Sequence, residues 1–190
     1  MIYVKALIVI DYTNDFIADD GKLTCGERGQ SIEQRITEIT REFVEAGEYV
    51  VFTIDIHDEN DNYHPERSLF PLHNIRGTKG RKLYGELEKY YNEALHDGKT
   101  NVHWIDKTRY SAFTGTDLEV KLRERRIEEL HLIGVCTDIC VLHTAIDAYN
   151  KGLKVVIHRD AVESFNPIGH DWALDHFANT LGAKVVKKGG

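Results

Sequence analysis

Short β-rich runs alternate with amphipathic stretches along this chain, and that alternation restricts its fold more than any other feature. The runs are Tyr3–Ile10, Tyr49–Ile54, Asn101–Ile105, Glu129–Gly134, Lys154–His158 and Lys184–Val186. Ala6 to Ile10 is apolar without a break, the pattern of a strand buried on both faces. The intervening stretches, roughly Ser31–Ala46, Leu83–Leu95, Asp117–Arg125, Asp138–Lys151 and Gly169–Leu181, read as helices. Gly47, Gly152 and Gly182 fall where a left-handed helix cap favours glycine. Strands that alternate with helices predict right-handed crossovers and a mainly parallel six-stranded sheet. Helices should cover both faces, giving a three-layer α/β fold. At 190 residues the chain is expected to form one domain with a full core.

Composition excludes several function classes. A formal net charge of −7 and the lack of a basic stripe argue against nucleic-acid or anionic-membrane partners. The run Ala6–Ile10 is too short for a signal segment or a membrane span. Three cysteines without scaffold spacing predict a reducing, cytoplasmic setting. Cys25 lies in a polar stretch and is expected to be incidental.

Open parallel sheets bind ligands at the carboxyl ends of their strands. Asp11 follows the first strand, Asp55 and His57 the second, Lys107 the third, Cys136 and Cys140 the fourth, and Asp160 the fifth. Taken singly each has an ordinary explanation: a helix cap, a solvated lysine, a small buried thiol. Together they put a carboxylate, an ammonium and a thiol on one rim. Cys140 should sit on the first turn of a helix, where free N–H groups and the dipole favour a thiolate. A neighbouring cation lowers a thiol pKa further, and a carboxylate can carry the thiol proton to a leaving amine. The N–H groups near Cys136 and Cys140 could hold an oxyanion.

The polar stretch from Asp55 to Gly80 is too long to be a plain connection. Asp55 and His57 point to the same side of an extended segment, and Glu66 and His73 return later, with His64 as a spare. Carboxylate and imidazole donors suit one divalent transition metal such as zinc, manganese, iron or cobalt. Phe16, Phe70, Tyr110 and Phe113 could wall an apolar pocket for a small ring.

Four segments occur in order: Ile10-Asp11-Tyr12-Thr13-Asn14-Asp15-Phe16, Asp55-Ile56-His57, Lys107-Thr108-Arg109-Tyr110-Ser111-Ala112-Phe113 and Gly134-Val135-Cys136-Thr137-Asp138-Ile139-Cys140. As a set they resemble the isochorismatase-like cysteine hydrolases, and within them the nicotinamidases (pyrazinamidases), over nearly the whole chain. The resemblance implies a sheet core in a Rossmann-like arrangement, an Asp11–Lys107–Cys140 triad and a cis peptide between Val135 and Cys136. It implies an oxyanion hole at Cys136 and Cys140, and metal ligands at Asp55, His57 and His73. Glu66 matches a variable fourth position, with His64 as its rival. Phe16, Phe70 and Tyr110 or Phe113 match ring-contacting positions, and Phe70 replaces a tryptophan common in some members. Thr13 stands where many relatives have glutamine and is expected to leave the chemistry untouched.

The implied activity is metal-dependent hydrolysis of nicotinamide to nicotinate and ammonia through a cysteine thioester, in NAD salvage. The implied partner is a small molecule, nicotinamide, with pyrazinamide as a further substrate and a homo-oligomer left open. Two alternatives stand beside it. One is a sister cysteine amidase for ureido, carbamoyl or other small amides, which typically lacks the metal motif. The other is a non-catalytic metal-binding or redox-sensing protein.

Overall fold

The computed structural model describes residues 4–189. Strand β1 (Lys5–Ile10) leads through two short helices, α1 (Asn14–Ile17) and α2 (Gly26–Ser31), into α3 (Glu33–Glu45) and β2 (Tyr49–Asp55). The polar loop that follows holds two single-turn 3-10 segments, Pro65–Ser68 and Lys79–Arg81. Next come α4 (Gly85–His96), β3 (Val102–Lys107), α5 (Leu118–Glu124) and β4 (Glu129–Val135). A π-type turn over Thr137–Val141 runs straight into α6 (Leu142–Asn150). The chain ends with β5 (Lys154–Glu163), α7 (Pro167–Asn179) and β6 (Lys184–Val186). The strands pair in the order β3-β2-β1-β4-β5-β6, all parallel. This is the α/β three-layer arrangement that the alternation predicts. No helix among the described residues is long and apolar enough to cross a membrane.

The period of a strand sorts the central residues into two cores. Ala6, Ile8 and Ile10 of β1 meet Leu118, Leu122, Ala145 and Phe177 from α5, α6 and α7. Leu7 and Val9, one residue out of phase, meet Ile36, Ile39, Phe43, Leu87 and Tyr90 from α3 and α4. All five residues from Ala6 to Ile10 are fully buried, which explains the unbroken apolar run. Helix α3 buries Ile36, Ile39, Thr40, Phe43 and Val44, one stripe at helical spacing. Each large aliphatic side chain so enclosed stabilises the fold by about 1.5–3 kcal/mol.

Several boundaries differ from the sequence reading, each for a local reason. Tyr3, expected to open β1, lies outside the described residues. The stretch expected as one helix from Ser31 begins earlier as α2, and Ile32 separates the two helices. Helix α7 starts at Pro167, with Asn166 accepting the Gly169 N–H as its cap, a standard start signal that a boundary at Gly169 overlooks. Strand β5 runs on to Glu163, because its pairing with β4 jumps from Leu132–Ile157 to Gly134–Val162 across an irregularity. Asp160 therefore lies within β5 and not past its end. Its Oδ2 accepts from Arg35 Nε (3.1 Å) and the Lys188 N–H (2.9 Å), away from the other rim groups.

Gly134 shows how closely β4 approaches β1. Its φ is +116°, and a Cβ built there would stand 2.0 Å from the Ile10 carbonyl oxygen. Backbone cannot retreat as a side-chain tip can, so only glycine fits. Gly134→Ala is expected to destabilise the fold by about 3 kcal/mol or more, combining the clash with the left-handed backbone. A lowered midpoint in urea unfolding checks this; an unchanged midpoint would mean that the two strands are not held so close.

Candidate functional site

Four strand ends deliver the site. Asp11 leaves β1 with a left-handed backbone (φ 52°), a conformation that aspartate tolerates better than most residues. Its Oδ1 accepts the Asp55 N–H at 2.7 Å, which ties the ends of β1 and β2 together. Asp55 closes β2 in register with Lys107, the last residue of β3. The Val135–Cys136 peptide after β4 is cis, in line with the resemblance. Cys140 sits on the π-type turn, where the N–H groups of Ile139 and Val141 both donate to the Cys136 carbonyl.

Lys107 is the centre of this arrangement. It is fully buried, the opposite of a solvated surface lysine. Its ammonium contacts Asp11 Oδ2 at 2.7 Å, Asp55 Oδ1, the Arg109 carbonyl at 3.3 Å and Cys140 Sγ at 3.5 Å. Burial alone would lower its pKa, but Asp11, Asp55 and the Cys140 sulfur hold it well above the usual lysine range. The ligand atoms of Asp11, Asp55 and Cys140 lie within 4.8 Å of one another. Burial, reinforced by the Asp55 charge and opposed by Lys107, pushes the Asp11 carboxyl up to about 6.

The Cys140 thiol is under opposing influences. Lys107 does lower the Cys140 thiol pKa, but burial raises it more, with Asp11 and Asp55 adding to the rise. The closely placed Asp11 carboxylate could accept the thiol proton.

Beside the triad lies a second cluster. The donor atoms of Asp55, His57, Glu66 and His73 fall within 4.8 Å of one another, and all four residues are buried. Asp55 Oδ2, His57 Nε2 and His73 Nε2 have no hydrogen-bond partner. Buried polar atoms are rarely left so, and three converging on one point call for a cation. His73 Nδ1–H donates to the Pro71 carbonyl (2.8 Å), which leaves its Nε2 lone pair free. Burial, with His73 adding to it, pushes His57 down to about 4, so its imidazole is neutral. Burial and the Asp55 charge push the Glu66 carboxyl up to about 8. Two carboxyl groups and two imidazoles are a donor set that fits one divalent metal ion. His64 is occupied elsewhere: its Nε2–H donates to the Thr108 carbonyl (2.8 Å), and its Nδ1 accepts the Glu66 N–H (3.3 Å).

Between the clusters lies a small pocket. Phe16, Leu23, Phe70, Tyr110 and Ile139 supply its apolar walls, and Asp55, Glu66, Cys136 and Cys140 its polar ones. Phe113, expected among the walls, is packed in the core with Leu118 and Leu122, with the Lys151 ammonium 5.5 Å from its ring centre. Leu23 and Ile139 take wall positions that aromatic residues alone did not point to. Cys25 is not incidental in its packing: it is buried, and its sulfur stands 3.7 Å from that of Cys136. All three cysteines are free thiols.

The turn bearing Cys140 is clamped from α7 and the connection that precedes it. Asp138 accepts from Ser164 Oγ (2.6 Å) and Asn166 Nδ2 (3.3 Å), and Thr137 Oγ1 pairs with His170 Nδ1 (2.8 Å). Thr137 and Asp138 stand within the quoted cysteine segment, so a signal existed; their partners lie about thirty residues on and show no pattern.

Comparison with known proteins agrees with this geometry. The isochorismatase-domain model matches residues 5–188. Over 183 residues the chain is 63% identical to an uncharacterized isochorismatase-family protein of Bacillus subtilis (strain 168), covering 96% of this chain and 99% of that one. It is similar to the crystal structure of a nicotinamidase/pyrazinamidase from Bacillus subtilis, with a TM-score of 0.93, 62% identity and coverage of 96% and 98%. It is also similar to the pyrazinamidase of Pyrococcus horikoshii in complex with zinc, with a TM-score of 0.83, 32% identity and coverage of 97% and 99%. With a family model spanning its sheet and site, the chain belongs to the isochorismatase domain family.

Proposed function

We propose that this protein hydrolyses nicotinamide to nicotinate and ammonia through a thioester on Cys140, with Asp11 as the base and Lys107 as the cation that holds both. The observation that carries the reading is the meeting of Asp11, Lys107 and Cys140 with a four-donor metal cluster beside one small, aromatic-walled pocket. The similarity to nicotinamidase/pyrazinamidase structures supports the same substrate class. The four-donor cluster favours nicotinamide over a ureido or carbamoyl compound, whose amidases the sequence reading expects to lack such a site.

The hollow orients the flat ring between Phe16, Phe70 and Tyr110 so that the carboxamide faces Cys140. Asp11 takes the thiol proton, and Sγ adds to the amide carbon. The N–H groups of Cys136 and Cys140 stabilise the negative oxygen that forms. The C–N bond then breaks, and the proton held by Asp11 passes to the departing ammonia. Water enters, Asp11 removes its proton, and hydroxide adds to the thioester carbon. The C–S bond breaks, Asp11 returns its proton to sulfur, and the nicotinic acid released gives up its own proton to solvent as nicotinate. Lys107 keeps its proton throughout and balances the charge on Asp11. Asp55, His57, Glu66 and His73 would hold a zinc, manganese, iron or cobalt ion, which supplies a Lewis-acidic position for the ring nitrogen. A small-molecule substrate, free thiols and an active cysteine fit a reducing cytoplasm.

The primary test is ammonia release from nicotinamide with and without a chelator, paired with elemental analysis. Cys140→Ala is expected to lower kcat by about 10⁴-fold or more while leaving the unfolding transition near that of the wild type. Substantial turnover by that variant would remove Cys140 as the nucleophile. Asp55→Ala combined with His57→Ala is expected to lose the bound metal and raise KM for nicotinamide by about tenfold or more. Undiminished metal content in that double variant would show that the ion sits elsewhere.

A further inference from the structure

We propose that Thr13, Asp15 and Asn74 form a buried clasp that positions His57 and His73 for metal binding, so that Thr13 and Asp15 are positioning residues; this rests on the metal reading above. Neither residue offers a donor atom to the four-residue cluster, and both are buried. Thr13 was expected to leave the chemistry untouched, yet its hydroxyl is bonded to the residue that follows His73.

Asn74 directly follows His73 and is fully buried with a left-handed backbone (φ 47°). Three bonds fix it there. Its N–H donates to Asp15 Oδ2 at 2.7 Å. Its Oδ1 accepts from Thr13 Oγ1–H at 2.8 Å. Its carbonyl accepts the His57 N–H at 3.1 Å, while the His57 carbonyl accepts the Arg76 N–H at 3.0 Å. The backbones of both histidines are thus referred to one residue. That residue is in turn referred to the segment just past Asp11, since the Thr13 N–H donates to the Asp11 carbonyl at 2.8 Å.

Asp15 is itself confined. A Cβ on Gly80 would lie 2.2 Å from Asp15 Oδ2, so glycine at position 80 makes room for the carboxylate. The Lys22 N–H approaches Asp15 Oδ1 at 3.4 Å. An asparagine held in the left-handed region persists when its surroundings over-determine it, and these bonds do so. Removing either partner leaves a buried polar group of Asn74 unpaired. The turn then relaxes, and the two Nε2 atoms lose their preset convergence. Outer partners of this kind typically change metal affinity by about 10- to 100-fold when removed.

The test measures the zinc dissociation constant of the intact protein by competition with a chromophoric chelator. Thr13→Val, Thr13→Ser, Asp15→Ala and Asp15→Asn are compared with the wild type, alongside melting of the metal-free form and kcat at rising zinc. Thr13→Val and Asp15→Ala should bind zinc about 10- to 100-fold more weakly, with kcat recovering as zinc is raised. Thr13→Ser, which keeps the hydroxyl, should stay within about threefold of the wild type. Asp15→Asn, which keeps a neutral acceptor, should fall between. Asp15→Ala can fail to fold, so the Thr13 valine and serine pair decides the matter. Wild-type zinc affinity in Thr13→Val, or equal losses in Thr13→Ser and Thr13→Val, would overturn the clasp while leaving the metal site standing. A wild-type protein that binds no zinc would overturn the metal reading, and the clasp with it.

Discussion

A fully buried ammonium holds the site together. Removing a lysine from water costs several kcal/mol unless opposite charge is supplied at contact distance. Lys107 receives that charge from Asp11 and Asp55, the residues at the ends of the two neighbouring strands. Because β1, β2 and β3 are parallel and adjacent, their carboxyl ends meet at one level, and the three groups converge with little loop needed. Cys140 completes the ring from the far side of β1, where Gly134 lets β4 approach closely enough. Loss of the cation would leave two carboxylates facing each other out of water.

Asp55 joins the two halves of the site. One of its oxygens meets Lys107; the other has no hydrogen-bond partner and faces His73 at 3.9 Å. The protein groups around the hollow comprise three carboxylates, from Asp11, Asp55 and Glu66, against one ammonium. Burial first, and that imbalance second, make Asp11 and Glu66 hold their protons more tightly than ordinary carboxylates. A divalent cation among Asp55, His57, Glu66 and His73 would restore the balance. The same burial raises the Cys140 thiol pKa, with the Asp11 carboxylate placed where it could take the proton.

The rim of the sheet was legible in the sequence because parallel topology converts chain position into spatial position. A polar residue just past an apolar run lands at the carboxyl edge, and Asp11, Asp55, Lys107 and Cys140 all do so. The rule fails where a strand is irregular. Asp160 looked like a rim residue because β5 seemed to end at His158, but the pairing jump carries the strand on to Glu163. Phe113 looked like a pocket wall because it follows Tyr110 closely, yet the chain turns between them and sends Phe113 into the core. Periodicity carries no information about such a turn. That burial raises the Cys140 thiol pKa was not legible, because a sequence shows which charges are near but not how deeply the sulfur is buried. The contacts of Thr13 and Asp15 with Asn74 were invisible, since they join segments about sixty residues apart in a loop without periodic pattern.

The central claim is that this ammonium-centred cluster makes Cys140 the atom donor for a covalent intermediate. Rapid acid quench of the enzyme mixed with excess nicotinamide, followed by peptide mass spectrometry, addresses it directly. The account predicts a nicotinoyl adduct on the peptide containing Cys140, located at that sulfur and absent after the amide is consumed. An adduct on Cys136, Cys25 or any other side chain during turnover would contradict it.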